Sequence, residues 1–127
     1  MLGKRKKEYS NIETLISEGV EIKGEINSRG SIKIDGNVEG KLRIQGDLVI
    51  GESAQIKGDL LVENLILAGN LQGNANAKGR LEITSTGAMT GDAICKVLTI
   101  EEGGILEGRS QMSQQKEKID KGKTANV

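Results

Sequence analysis

The segment GVEIKGEINSRGSIKIDGNVEGKLR, residues 19–43, contains the pattern that decides the fold. Within it a three-residue phrase occurs twice, an apolar residue followed by a polar residue and a glycine, as Ile22-Lys23-Gly24 and Val38-Glu39-Gly40. Successive glycines of this phrase lie 15 to 18 residues apart, and such regularity is the signature of a protein built from structural repeats. The phrase recurs along the chain, and its glycines are Gly24, Gly40, Gly58, Gly73, Gly91 and Gly108.

Alternating apolar residues keep phase with each phrase. Pairs such as Ile32 and Ile34 precede a glycine, and pairs such as Leu42 and Ile44 follow one. Because alternate side chains of a strand face opposite sides of a sheet, this period of two predicts strands rather than helices. Each repeat is predicted to contain three short strands, which cannot bury their apolar face alone and must stack on neighbouring repeats. We therefore predict an all-β fold, a parallel β-helix (β-solenoid) of about six rungs over residues 14–112.

The length of the repeat varies at one place. The stretch from the leading apolar pair to the glycine is two residues shorter in residues 32–40 and 65–73 than in the other repeats. A change of two residues preserves which side chains point inward, so we expect the core columns to stay in phase. Only the corner between strands should tighten.

The composition fits a narrow interior and an uneven distribution of charge. The chain has 18 Gly but no Pro, Trp, Phe or His, so aliphatic side chains must fill the core. Residues 14–108 hold nine basic and 14 acidic residues, whereas residues 1–13 and 109–127 are basic. An acidic body and a single aromatic residue, Tyr9, argue against nucleic-acid binding. The segments 1–13 and 113–127 are expected to be a basic tail and a disordered polar tail.

Enzymatic alternatives for a β-solenoid find little support in the residues. Hexapeptide-repeat acyltransferases use a histidine as general base, but this chain has none. The acidic residues are scattered singly among cations, and the glycine- and aspartate-rich motif of calcium-binding repeats is absent. Cys95 falls in an inward column and is expected to be a buried, unreactive thiol. We therefore expect no enzyme activity, no cofactor and no metal site.

The segments GVEIKGEINSRGSIKIDGNVEGKLR and SAQIKGDLLVENLILAGNLQGNANAKGRLEI resemble the core of the bactofilins, bacterial cytoskeletal proteins. The resemblance implies a right-handed β-helix that polymerises end to end, without nucleotide, into apolar filaments. It also implies a cytoplasmic scaffold, peripheral at the inner membrane face, that organises cell shape, cell-wall synthesis, flagellar parts or motility. Family members studied for assembly carry an aromatic residue near the C-terminal rung, which aliphatic residues must replace here.

The two ends of the solenoid are the predicted sites of self-association. A rung without a neighbour exposes unpaired backbone groups and open core, and we expect each end to pair with the same end of another copy. A folded tail that caps the end is the alternative, and a non-polymeric adaptor that docks a partner protein is the alternative function. The predicted interface residues are Ile12, Leu15 and Ile16 at one end and Leu98, Ile100, Leu106 and Met112 at the other.

The N-terminal segment MLGKRKK allows two interpretations. It could be a solubilising disordered tail, or it could bind an anionic membrane surface by inserting two apolar side chains and placing four cations on the headgroups. Each cation near such a surface contributes about 1 kcal/mol, and the resemblance favours membrane contact. No apolar stretch typical of a signal peptide follows the basic residues. The predicted membrane-contact residues are Met1, Leu2, Lys4, Arg5, Lys6 and Lys7.

Overall fold

A computed structural model describes residues 12–112, which form a solenoid of parallel β-strands. The chain makes six turns, and each turn contributes one short and one long strand. No strand in this range pairs in the antiparallel sense. The strands are β1 (Ile12–Ile16), β2 (Glu21–Ser28), β3 (Ser31–Ile34), β4 (Asn37–Ile44), β5 (Asp47–Ile50), β6 (Gln55–Val62), β7 (Asn64–Leu67), β8 (Asn70–Ile83), β9 (Ala88–Ile100) and β10 (Ile105–Met112).

The strands form two ladders that run along the solenoid. The first ladder contains β1, β3, β5 and β7, followed by the C-terminal parts of β8 and β9. The second contains β2, β4 and β6, then the N-terminal parts of β8 and β9, and finally β10. These pairings confirm the predicted stack of about six rungs.

Each long strand passes through a corner at its glycine. The six glycines of the repeated phrase have φ between 136° and 139°, a backbone conformation that L-residues with a side chain rarely adopt. The two straight segments on either side of this glycine therefore lie on different faces, while the ladder of hydrogen bonds continues unbroken. The three predicted strands of a rung thus appear as two strands, the longer of which is bent.

The interior consists of aliphatic columns, one residue from each rung. In the first ladder Ile32, Leu48, Leu65 and Leu81 are stacked in register and fully buried. In the two columns beyond the glycine corner, the side chains become smaller toward the C-terminal end. These columns are Leu42, Leu60, Ala75 and Ala93, and Ile44, Val62, Ala77 and Cys95.

The short and long corners preserve the register. Two residues connect β3 to β4, whereas four connect β1 to β2 and β5 to β6. Val38 nevertheless stacks between Ile22 and Ile56 in the next rungs, as the predicted two-residue change requires. A different corner carries a polar ladder, in which Asn64 donates from Nδ2 to Oδ1 of Asp47 (3.0 Å) and accepts at Oδ1 from the backbone N–H of Arg80 (2.9 Å).

Candidate assembly interfaces

The C-terminal end is an open rung of the core. Within residues 12–112, β10 pairs with β9 and with no other strand, so its outer edge is unpaired. Ile100 and Leu106 are only partly buried, whereas Ile83 and Met89, their column neighbours one rung inward, have no exposed surface. A depression of about 410 Å³ is lined by residues 100–106. This end therefore offers both unpaired backbone groups and apolar side chains to a second molecule.

The N-terminal end has the same character. Among the residues described, β1 pairs only with β3 and β2 only with β4. Ile22 and Ile26 are partly buried, although the residues stacked beneath them, Val38 and Leu42, are almost completely buried. The outer surface of this rung also carries apolar groups, since Val20 is 41% exposed.

The glycine corners differ between the two ends in one respect. At Gly40, Gly58, Gly73, Gly91 and Gly108, a Cβ would overlap the carbonyl oxygen of the corner glycine in the preceding rung. At Gly24 a Cβ would meet no atom within 4 Å. Among residues 12–112, Gly24 therefore has no neighbouring rung on its N-terminal side, in the place that another rung would occupy.

The predicted interface residues have different positions within these ends. Ile16, 8% exposed, and Leu98, 6% exposed, already belong to the monomer core. Leu15 lies on the outer face of β1, in register with Lys33, and is 58% exposed. The backbones of Ile12 and Met112 pair with Ser31 and Cys95 respectively.

Three exposed apolar residues at the ends were not among the predicted interface residues. Val97 is 46% exposed and Ile105 is 49% exposed in the last turn, and Val20 lies in the first. All three occupy outward or corner positions, which a periodicity of two assigns to the solvent face. Their position in an end turn was the signal that could have identified them. The predicted membrane-contact residues Met1, Leu2, Lys4, Arg5, Lys6 and Lys7 lie outside the described residues.

The solenoid body offers little reactive chemistry. Cys95 is completely buried, as predicted. Burial raises the pKa of its thiol to about 11, and a backbone hydrogen bond with Leu81 offsets only part of this increase. Within residues 12–112 no group of three His, Cys, Asp or Glu side chains could hold a metal ion. A groove of about 700 Å³ on the side of the solenoid is lined in part by Arg29, Arg43, Glu63 and Lys78.

The part of the chain that the structure describes contains no helix long and apolar enough to cross a membrane.

Comparison with known proteins identifies a matching family and similar curated proteins. The family profile described as "Bactofilin: Polymer-forming cytoskeletal" matches residues 14–111. The chain is 31% identical to bactofilin BacP of Myxococcus xanthus (strain DK1622) over 104 residues. It is 27% identical to bactofilin BacO of the same organism over 99 residues.

The two alignments include different fractions of the relatives' chains. The alignment with BacP includes 81% of this chain but 43% of BacP, so this chain matches less than half of that protein's length. The alignment with BacO includes 78% of this chain and 79% of BacO. No solved structure matches.

Proposed function

Since the chain belongs to the bactofilin family, whose members are polymer-forming cytoskeletal proteins, we propose that it assembles end to end, without nucleotide, into a filamentous scaffold. The observation that carries this proposal is the open apolar rung at each end of the solenoid. The two ends present unpaired strand edges and apolar side chains, which are what strand addition needs.

The physical basis of assembly is the completion of unfinished rungs. Ile100 and Leu106 are covered on the inner side only, and an adjoining molecule would bury their remaining surface. Full burial of an aliphatic side chain contributes about 1.5–3 kcal/mol, so several half-buried residues supply a substantial driving force. An adjoining strand would also pair the free N–H and C=O groups along β10 and β9.

An arginine in an end rung should prevent this contact. We expect Ile100→Arg and Leu106→Arg to leave the solenoid folded, because a long side chain at an open end can reach water, and to stop filament growth at the C-terminal end. Leu61→Arg is the matched control, since Leu61 faces outward in the middle of the solenoid and is 38% exposed. Sedimentation and negative-stain electron microscopy measure the outcome. Filaments of Leu106→Arg as long as those of Leu61→Arg would refute end-to-end assembly.

We further propose that the N-terminal tail attaches the polymer to an anionic membrane surface. Two apolar residues and four cations in residues 1–7 support this role. A single tail would bind weakly, but a filament displays many tails and gains avidity. Deletion of residues 2–7 should abolish co-pelleting of filaments with vesicles that contain anionic lipid, while filaments still form. Undiminished pelleting of the deleted protein would exclude the tail as the attachment site.

The cellular role follows from these two properties. A nucleotide-independent polymer at the inner membrane face could position cell-wall, division or motility proteins, which we propose as the function of this scaffold. The adaptor alternative would use a side face of the solenoid and predicts no concentration-dependent assembly. Light scattering of the purified chain at increasing concentration, without nucleotide, distinguishes the two.

A further inference from the structure

Opposite charges flank the corner glycine in four of the six rungs. The residue before the glycine and the residue after it both point to solvent, and in these rungs one is basic and the other acidic. The two rungs between them, at Gly73 and Gly91, carry no cation at these positions. The four charged pairs are Lys23 and Glu25, Glu39 and Lys41, Lys57 and Asp59, and Glu107 and Arg109.

The sign of the charge also alternates along the solenoid. Lys23 lies in register with Glu39, which lies in register with Lys57 on the other side. On the far side of the corner, Lys41 lies between Glu25 and Asp59. Adjacent rungs in a sheet are separated by about 4.8 Å, so over the first three rungs each charge at the corner has an opposite charge in register, whereas Lys57 and Asp59 face the uncharged Gln72 and Asn74 on their other side. The corner is therefore a checkerboard that favours one register of stacked rungs.

The checkerboard is interrupted at the N-terminal end, where Lys23 and Glu25 have a neighbouring rung on one side only. No ion pair within 4.0 Å joins Lys23 or Glu25 to another described residue, and the in-register charges at the Gly40 and Gly58 corners also lie further apart than 4.0 Å, so the charges oppose each other in register without direct ion pairs. Consider a second copy related by a two-fold axis that is perpendicular to the solenoid and passes through the Gly24 corner. This axis exchanges the two segments of β2, so Lys23 faces Glu25 of the second copy, and Ile22 faces its Ile26.

The C-terminal end has the same self-complementarity. A two-fold axis through the Gly108 corner places Glu107 opposite Arg109 of a second copy, and Leu106 opposite its Ser110. Arg109 lies 3.9 Å from Asp92 in its own chain, but the Arg109 side chain remains 80% exposed and can contact another molecule. Each end alone thus satisfies the requirement of an isologous contact, in which one surface is complementary to itself.

From this pattern we infer that Lys23 and Glu25 at one end, and Glu107 and Arg109 at the other, determine the register and orientation of subunit contacts, by pairing with the same residues of a second copy. This inference rests on the proposed end-to-end assembly. It adds specificity residues, because the apolar core of an open rung gives attraction without fixing how two rungs are aligned.

A head-to-tail stack would also pair opposite charges at the corner, Glu107 with Lys23 and Arg109 with Glu25. The connecting corners argue against it. Ile16 and Ile100 lie equally far before their corner glycines, so this stack would place Glu102 directly against Glu18. Like charges in direct register are destabilising. The two-fold arrangement avoids that contact.

A background that is blocked at the C-terminal end makes the test simple. Leu106→Arg should leave one functional end, so an isologous contact gives a dimer and a head-to-tail contact gives only monomers. In this background we expect Lys23→Glu alone, or Glu25→Lys alone, to raise the dimer dissociation constant by roughly tenfold or more at low ionic strength, because two attractive pairs become two repulsive ones. Sedimentation velocity measures the constant.

Two rescue experiments follow from the two-fold geometry. An equimolar mixture of the Lys23→Glu chain and the Glu25→Lys chain should form heterodimers with near-original affinity, because every contact between unlike chains is attractive. The double variant K23E/E25K should likewise dimerise with itself. In about 1 M salt, where the screening length is about 3 Å, the differences between all variants should largely disappear.

Lys57→Glu and Asp59→Lys are the matched controls. Each creates the same like-charge contact with Glu39 or Lys41 as the end variants do, but in the middle of the solenoid. They should dimerise like the background, and circular dichroism should show all variants folded. K23E/E25K contains both intrachain repulsions. If it still dimerises like the background, the weaker dimers of the single variants result from the subunit contact and not from a destabilised end rung.

The outcomes distinguish the inference from the function on which it rests. A wild-type chain that never assembles would refute the proposed function. A wild-type chain that forms filaments, with Leu106→Arg dimers that are insensitive to Lys23→Glu at low salt, would overturn the inference alone. So would a folded K23E/E25K chain that fails to dimerise. Leu106→Arg monomers combined with wild-type filaments would establish a head-to-tail contact instead.

Discussion

Alanine at a corner glycine should destabilise the solenoid to an extent that depends on the rung. At Gly58, φ is 139°, and a Cβ would overlap the carbonyl oxygen of Gly40 in the preceding rung. At Gly24, φ is almost the same, 138°, but a Cβ would meet no atom within 4 Å. The two substitutions therefore share the backbone strain and differ only in the clash between rungs.

The difference in the free energy of unfolding follows from these two contributions. A residue with a side chain at a sparsely populated, large positive φ costs about 1–3 kcal/mol, which is the whole expected effect of Gly24→Ala. Overpacking against a fixed neighbour adds about 1–3 kcal/mol, and the carbonyl oxygen of Gly40 belongs to the backbone of the ladder and cannot rotate away. We expect Gly58→Ala to cost roughly 2–6 kcal/mol in total, which for a domain of about 100 residues lowers Tm by about 8 °C or more.

Urea-induced unfolding, followed by far-ultraviolet circular dichroism, measures both variants. The protein must be diluted below its assembly concentration, because polymerisation would add to the apparent stability. Gly73→Ala and Gly91→Ala should behave like Gly58→Ala, since a Cβ at each would overlap the glycine carbonyl of the preceding rung. Equal losses of stability for Gly24→Ala and Gly58→Ala would refute the stacked-glycine explanation and leave backbone strain as the only effect.

Two further predictions concern the core. Leu65→Ala should lower the free energy of unfolding by about 2–5 kcal/mol, because Leu65 has no exposed surface. Leu61 lies on the outer face and is 38% exposed, so Leu61→Ala should cost far less. Equal losses of stability in urea titrations would contradict the assigned inward and outward faces. The Cys95 thiol should resist alkylation at pH 8 in the folded chain and react in urea, because burial raises its pKa to about 11. Folding favours the neutral thiol, so the contribution of Cys95 to stability is complete below the unfolded pKa of about 8.5 and is lost as pH rises toward 11. Cys95→Ala should remove this part of the pH dependence of the unfolding free energy. Rapid alkylation of the native protein at pH 8 would contradict the burial of the thiol.

The core columns could be predicted from sequence because two independent regularities agree. The glycine phrase sets the repeat, and the alternating pairs assign Ile32, Leu48 and Leu65 to one inward column, where the structure places them. The two-residue shortening before Gly40 supported the same register. Periodicity did not reveal that each corner glycine leaves the ladder unbroken, because that depends on its φ angle rather than on the spacing of apolar residues.

The ends were predicted less completely than the body. Leu15 was predicted as an interface residue together with Ile16, yet the alternation of β1 places Thr14 and Ile16 inward and Leu15 outward. Val97 and Ile105 have outward positions too, and an exposed residue in an end turn differs from one in the body only through the absence of a neighbouring rung. Such information is not contained in any single repeat. It requires knowing which repeat is last.

The same interactions hold a rung in the solenoid and one subunit against another. Each turn contacts only the turns before and after it, so stability is a sum over neighbouring pairs and the end turns have one partner fewer. Ile22 and Leu106 show this deficit directly, because residues one rung further inward in their column are fully buried. A second copy that supplies the missing rung would therefore stabilise the end turns as well as join the subunits. Folding and assembly should be coupled, and substitutions that loosen an end turn should weaken filaments more than the same substitutions near Leu65.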